Sequence, residues 1–140
     1  MSVLLDTIGL VTVATVFGSM VFFSAVVVPT TFIKLDKETA SQFIRGIFPW
    51  YYLLIGILSL IAVVSLAFNK SNAATLMAIV LIGALISRQT LMPNINKQRE
   101  LHLAGDIDAK TRFDRLHRFS VLINLFQMCI ALYVLITFTI

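Results

Sequence analysis

From residue 7 to residue 33 the chain carries no charged side chain. Residues 46–69 and 119–140 are equally bare, and residues 71–92 hold only Arg88. A helix needs about 20 apolar residues to cross a hydrocarbon layer ~30 Å thick, because each residue rises ~1.5 Å. All four runs are long enough. Inside lipid every backbone N–H and C=O needs a partner, which leaves helices or closed barrels. Barrel strands alternate apolar and polar residues, and these runs do not, so they read as helices. The expected fold is all-α: a four-helix transmembrane bundle with a cytoplasmic helical hairpin between helices 3 and 4. It forms one domain over 1–140, with spans at approximately 4–29, 47–68, 73–92 and 118–139.

Composition agrees. Hydrophobic residues make up 59% of the 140 and charged residues 13%, against roughly 25% charged in soluble domains. So small a chain cannot hide that much apolar surface from water. This excludes a soluble globular domain, a disordered chain and a disulfide scaffold. The single cysteine, Cys129, has no partner for a disulfide and packs as a small apolar residue. The net charge of +4 comes without a basic patch interleaved with aromatics, so no nucleic-acid partner is expected. The first run lacks a basic start, and Pro29, Thr30 and Thr31 follow it in place of a small-residue cleavage site. It reads as a retained helix and not a signal peptide.

Basic residues set the threading. Lys34, Lys37 and Arg45 lie between the first two helices, and Lys97, Arg99, Lys110, Arg112, Arg115 and Arg118 between the last two; the opposite side has only Lys70. Cytoplasmic connections carry the excess of Lys and Arg. Both basic connections are therefore expected in the cytoplasm and both termini outside, in a cell or inner membrane. Trp50, Tyr51 and Tyr52 fit an interfacial aromatic belt. Asp36 is an expected N-cap, and Ile33, Phe43, Ile44 and Ile47 are expected against the membrane surface. Pro49 should kink or restart its helix, and Pro93 should kink the third. Gly105 should stop that helix, with Asp106 or Asp108 capping the fourth.

Polar residues at depth carry the functional argument, because burying them unpaired costs several kcal/mol. His117, Ser120, Asn124 and Gln127 follow steps of three, four and three, which puts them on one helix face. The stripe is either a seam of interhelical hydrogen bonds or a binding site. Arg88 lies about one turn inside Pro93 and should reach the depth of Ser120 to Asn124 on the antiparallel fourth helix. It either snorkels to the interface or holds an anionic or carbonyl group. Asn94, Asn96 and Arg99 follow Pro93, where they satisfy freed carbonyls or extend the site. Ala14 and Gly18 form a small-xxx-small pair suited to close packing or a homo-oligomer. No Ser-His-Asp grouping, phosphate loop or paired intramembrane carboxylates appear, so an enzyme is not expected.

Several segments resemble the transmembrane protein 205-like family of small four-helix membrane proteins, built around a domain of unknown function. They are Phe22 through Phe32 with Pro29, Ile47-Phe48-Pro49-Trp50-Tyr51-Tyr52, Pro93-Asn94-Ile95-Asn96 with Arg99, and Phe113 through Ser120 with Asn124-Leu125. The resemblance covers nearly the whole chain. It implies a four-span bundle and no established chemistry, and it marks Pro29, Phe48, Pro49, Pro93, Asn96, Arg99, His117, Ser120 and Asn124. Copper-resistance protein D and the four-helix protoporphyrinogen oxidase are similar in architecture only.

The leading expectation is a non-enzymatic membrane protein that binds or moves a small polar or anionic solute. Arg88 would supply charge, Ser120 and Asn124 hydrogen bonds, and His117 a titratable gate. Its partners would be the lipid bilayer, the solute and a second copy of the chain. No cofactor is expected. The rival is a redox protein with a haem or copper ion on His117, and a third reading is a scaffold whose basic hairpin docks an assembly partner.

Overall fold

Helices account for nearly all of the chain. The structure is a computed structural model that describes residues 1–139; Ile140, the end of the fourth uncharged run, lies outside them. Helix α1 is Ser2–Lys34, α2 is Lys37–Leu66 and α3 is Ser71–Leu103, and α4 is Ile107–Thr139. Among the described residues there is no strand. All four helices are long and apolar enough to cross a membrane. The chain is thus a multi-pass, all-helical membrane protein. Consecutive helices run antiparallel, and each packs on two neighbours, so α1 and α3 stand on a diagonal.

The helices overrun the expected spans at the basic end. What reads in sequence as connection is mostly helix: only residues 35–36 and 104–106 interrupt it there. Local chemistry explains both breaks. Asp36 accepts from the Thr39 N–H at 3.1 Å and so caps α2 as expected. Hydrogen bonding from the Thr39 side chain, and then from its N–H, holds the Asp36 carboxyl below its ordinary range. Gly105 adopts φ +103°, the left-handed conformation that ends α3. Asp106 then caps α4, accepting from the Asp108 and Ala109 N–H groups at 3.0 and 3.2 Å.

The prolines act differently from expectation. Pro49 lies inside an unbroken α2. In α1 and α3 the turn before the proline is widened to a π-turn, at Phe23–Val27 and Ser87–Leu91. There the N–H of Val28 reaches the Phe23 carbonyl, and that of Met92 reaches Ser87. A proline lacks an N–H and crowds the carbonyl four residues back. Widening the preceding turn accommodates both effects without ending the helix.

The middle of the bundle is packed shut. Val16, Met20, Ile55, Met77, Val80 and Gln127 are each at most 1% exposed. Ala62, Ala84 and Ala131 are fully buried and let backbones approach. Gly9 does the same against Leu66. The Ala14–Gly18 pair faces outward instead, with nothing near Gly18. Tyr51 and Tyr52 are buried as well, stacking into a cluster with Phe23 and Phe48. Of the expected aromatic belt only Trp50 stands outside, 72% exposed.

Candidate functional site

Of the polar stripe of α4, Ser120 and Gln127 are buried and Asn124 half-buried while His117 is exposed, and the three inward members bond to separate partners. Gln127 donates to the Val80 carbonyl of α3 at 2.8 Å. Asn124 accepts from the Tyr51 hydroxyl at 2.7 Å and donates to Ser24 at 3.3 Å. Ser120 donates to the His117 carbonyl within its own helix at 2.8 Å. Asn124 and Gln127 are therefore interhelical hydrogen bonds, the structural reading of the stripe.

Arg88 does not join them. Its Nε donates to the Pro49 carbonyl of α2 at 3.1 Å. The expected face was α4; the bond to Pro49 turns Arg88 to α2 instead. Arg88 sits inside the π-turn, where one extra residue per turn rotates the side chains away from the face a regular helix would give them. Tyr51 occupies the place beside Asn124 that Arg88 was expected to fill.

The site lies nearer the basic end. A cavity of about 810 Å³ opens there, walled by the ends of all four helices. Helix α1 gives Val28 and Phe32; α2 gives Lys37, Glu38, Ser41, Ile44, Arg45 and Phe48; α3 gives Met92, Ile95, Asn96, Arg99, His102 and Leu103; α4 gives Lys110, Phe113, Asp114 and His117. Asn96, Arg99 and His117 of the sequence candidates line it, while Arg88, Asn94, Ser120, Asn124 and Gln127 do not. A shallower groove of about 380 Å³ runs along α1 beside Thr30 and Lys34. It gathers no comparable set of charged groups.

Charges in the cavity wall are unevenly matched. Arg45 pairs with Glu100 at 3.1 Å, and Lys110 pairs with Asp114 at 3.6 Å. Among the described residues Arg99 has no carboxylate partner; its guanidinium donates to the Ser41 hydroxyl. The Nε atoms of Arg45 and Arg99 are both buried without an acceptor. Arg99 is therefore a half-buried cation, under-supplied with acceptors, in a wall that is mostly apolar. The His117 ring lies parallel to Phe113, with centroids 5.9 Å apart. Just outside, Arg112 grips Asp106 at 2.8 Å and Gln98 at 2.7 Å. Desolvation pushes the Asp106 carboxyl upward, but Arg112 and the capping N–H groups outweigh it and hold the carboxyl below its ordinary range.

The sequence carried a sign of this site that polarity alone hides. Ser41, Arg45 and Phe48 repeat at steps of four and three, as do Lys110, Asp114 and His117; Met92, Asn96 and Arg99 match them on α3. Each set is one helix face. Among the described residues no three His, Cys, Asp or Glu side chains gather as a metal site.

Residues 11–102 match the domain of unknown function DUF4149. The chain belongs to this family. The match takes in both π-turns and the cavity walls of α1, α2 and α3, and stops before α4. No curated protein and no solved structure matches the chain significantly. The matched stretch of this chain thus builds three sides of the candidate site.

Proposed function

We propose that this membrane protein binds a small organic anion in the basic-end cavity, which the excess of Lys and Arg places in the cytoplasm. The supporting observation is Arg99, a guanidinium with no carboxylate partner among the described residues, in a cavity of about 810 Å³. A planar, permanently charged fork of donors suits a carboxylate or phosphate. Asn96 adds amide hydrogen bonds, and His102 and His117 add further donors. Pockets for small ligands commonly occupy 300–1,000 Å³ and combine apolar walls with few polar groups. The packed middle of the bundle favours binding over conduction. Kinship with the transmembrane protein 205-like proteins remains part of this proposal, as does association of two copies.

The test is calorimetric titration of the purified protein in neutral detergent, with inorganic phosphate and citrate as probes. Arg99→Gln should weaken binding about ten- to a hundredfold, the worth of hydrogen bonds to a charged group. Arg88→Ala should leave it unchanged, because Arg88 bonds to Pro49 and does not line the cavity. Equal affinities in the wild type and Arg99→Gln would refute the site.

A further inference from the structure

We infer that the anion taken up by this cavity is the phosphate headgroup of a membrane lipid, with the first part of its acyl chains lying on the apolar wall. This rests on the anion-binding reading above and narrows it to one ligand class.

Depth is the first argument. Asp6, Asn69 and Lys70 gather at the end opposite the cavity, where Asn69 bonds to Asp6 at 3.3 Å. This polar end belongs at the opposing membrane boundary. From the end of α2 at Leu66, Phe48 is eighteen residues away, ~27 Å along the helix, and Arg45 is ~32 Å away. From Ser71, Met92 stands ~32 Å away and Arg99 ~42 Å. The hydrocarbon layer is ~30 Å thick, and the bilayer with its headgroups ~40–45 Å. With Leu66 and Ser71 taken at one hydrocarbon edge, the cavity floor lies at the other, and the Arg99 guanidinium, bonded to Ser41 at ~38 Å from Leu66, lies ~8 Å beyond it, at the outer limit of the headgroup layer.

The lining is the second argument. Phe48 and Met92 form an apolar floor, and Arg99 stands toward the rim. Phe32 lines the cavity and is 46% exposed. It leads from surrounding lipid into the cavity. Size is the third. The cavity equals ~27 water volumes at ~30 Å³ each. A free phosphate would leave most of the apolar wall without a partner, whereas a glycerophospholipid presents both the charge and the chain.

The experiment compares phosphatidylglycerol, phosphatidylcholine and glycerol 3-phosphate, each added to the full-length protein in a neutral maltoside detergent. Thermal unfolding and native mass spectrometry read the binding. Phosphatidylglycerol should stabilise saturably and remain bound, and glycerol 3-phosphate should need at least about a hundredfold higher concentration. Arg99→Gln should weaken phosphatidylglycerol about tenfold or more. Val28→Trp, which fills the floor, should weaken the lipid and spare glycerol 3-phosphate. Phe32→Ser serves the same purpose at the exposed rim, should Val28→Trp not yield folded protein. Equal affinity for glycerol 3-phosphate and the lipid, insensitive to both variants, would overturn the lipid assignment and leave the soluble-anion reading standing. Equal binding of the two phospholipids, independent of Arg99, would overturn it too. Equal phosphate and citrate affinities of the wild type and Arg99→Gln in the calorimetric titration are the separate sign that the anion site itself is wrong.

Discussion

Adding one methyl group at Gly83 should destabilise the bundle, and the reason lies across the interface on Gln127. A Cβ at Gly83 would stand 2.7 Å from Gln127 Nε2 and 3.2 Å from its Cδ. The Gln127 side chain is 1% exposed, and its one hydrogen bond runs to Val80. Its Oε1 already lacks a partner, so the amide has no second place to go. Overpacking costs ~1–3 kcal/mol. Losing an interhelical hydrogen bond in a membrane adds ~0.6 kcal/mol, at most ~1.7. The better helix propensity of alanine returns up to ~1 kcal/mol. Gly83→Ala should therefore cost ~1–3 kcal/mol in the native background. With Gln127→Ala the clash disappears, and the same substitution should be neutral or stabilising by up to ~1 kcal/mol. Thermal or denaturant unfolding of the four proteins in detergent completes the double-mutant cycle. Equal effects of Gly83→Ala in both backgrounds would refute the reasoning.

Two further outcomes follow from the hydrogen bonds. Tyr51→Phe should cost ~0.6–1.7 kcal/mol by leaving Asn124 without its 2.7 Å donor; adding Asn124→Ala should cost less than the sum, and an additive double variant would sink the link. The carboxyls of Asp36 and Asp106 are held below the ordinary aspartate value of 3.8, so their contribution to helix capping is present above pH 3.8 and is lost as pH falls through their lowered values. A pH titration of the Thr39 and Ala109 amide resonances should show midpoints below 3.8, and midpoints at or above it would contradict the caps.

The number and type of the helices were legible in the sequence because lipid imposes them through length and apolarity alone. So were the breaks at Asp36 and Gly105, which depend on residues a few positions away. Faces were harder. Each π-turn carries one residue more than a regular helix, so a wheel drawn through Arg88 assigns it the wrong neighbour. Tyr51 and Tyr52 have the composition of a belt, yet their burial depends on Phe23 from another helix. The cavity was the least legible feature. Asn96, Arg99 and His117 stood out as polar, but Arg45, Phe32 and Ser41 lie on segments that read as connections, and only the assembled helix ends bring them together.

The widened turns in α1 and α3 divide each helix into two independently indexed lengths. Upstream of Phe23 and Ser87, one set of positions meets the bundle. Beyond Pro29 and Pro93 the numbering of faces begins afresh, offset by about 100°, the angle of one residue. Substitutions around Phe32 or Arg99 are thereby uncoupled from the tight packing at Val16 or Val80. A chain built this way can retune what it recognises at one end while the membrane-crossing part stays as it is.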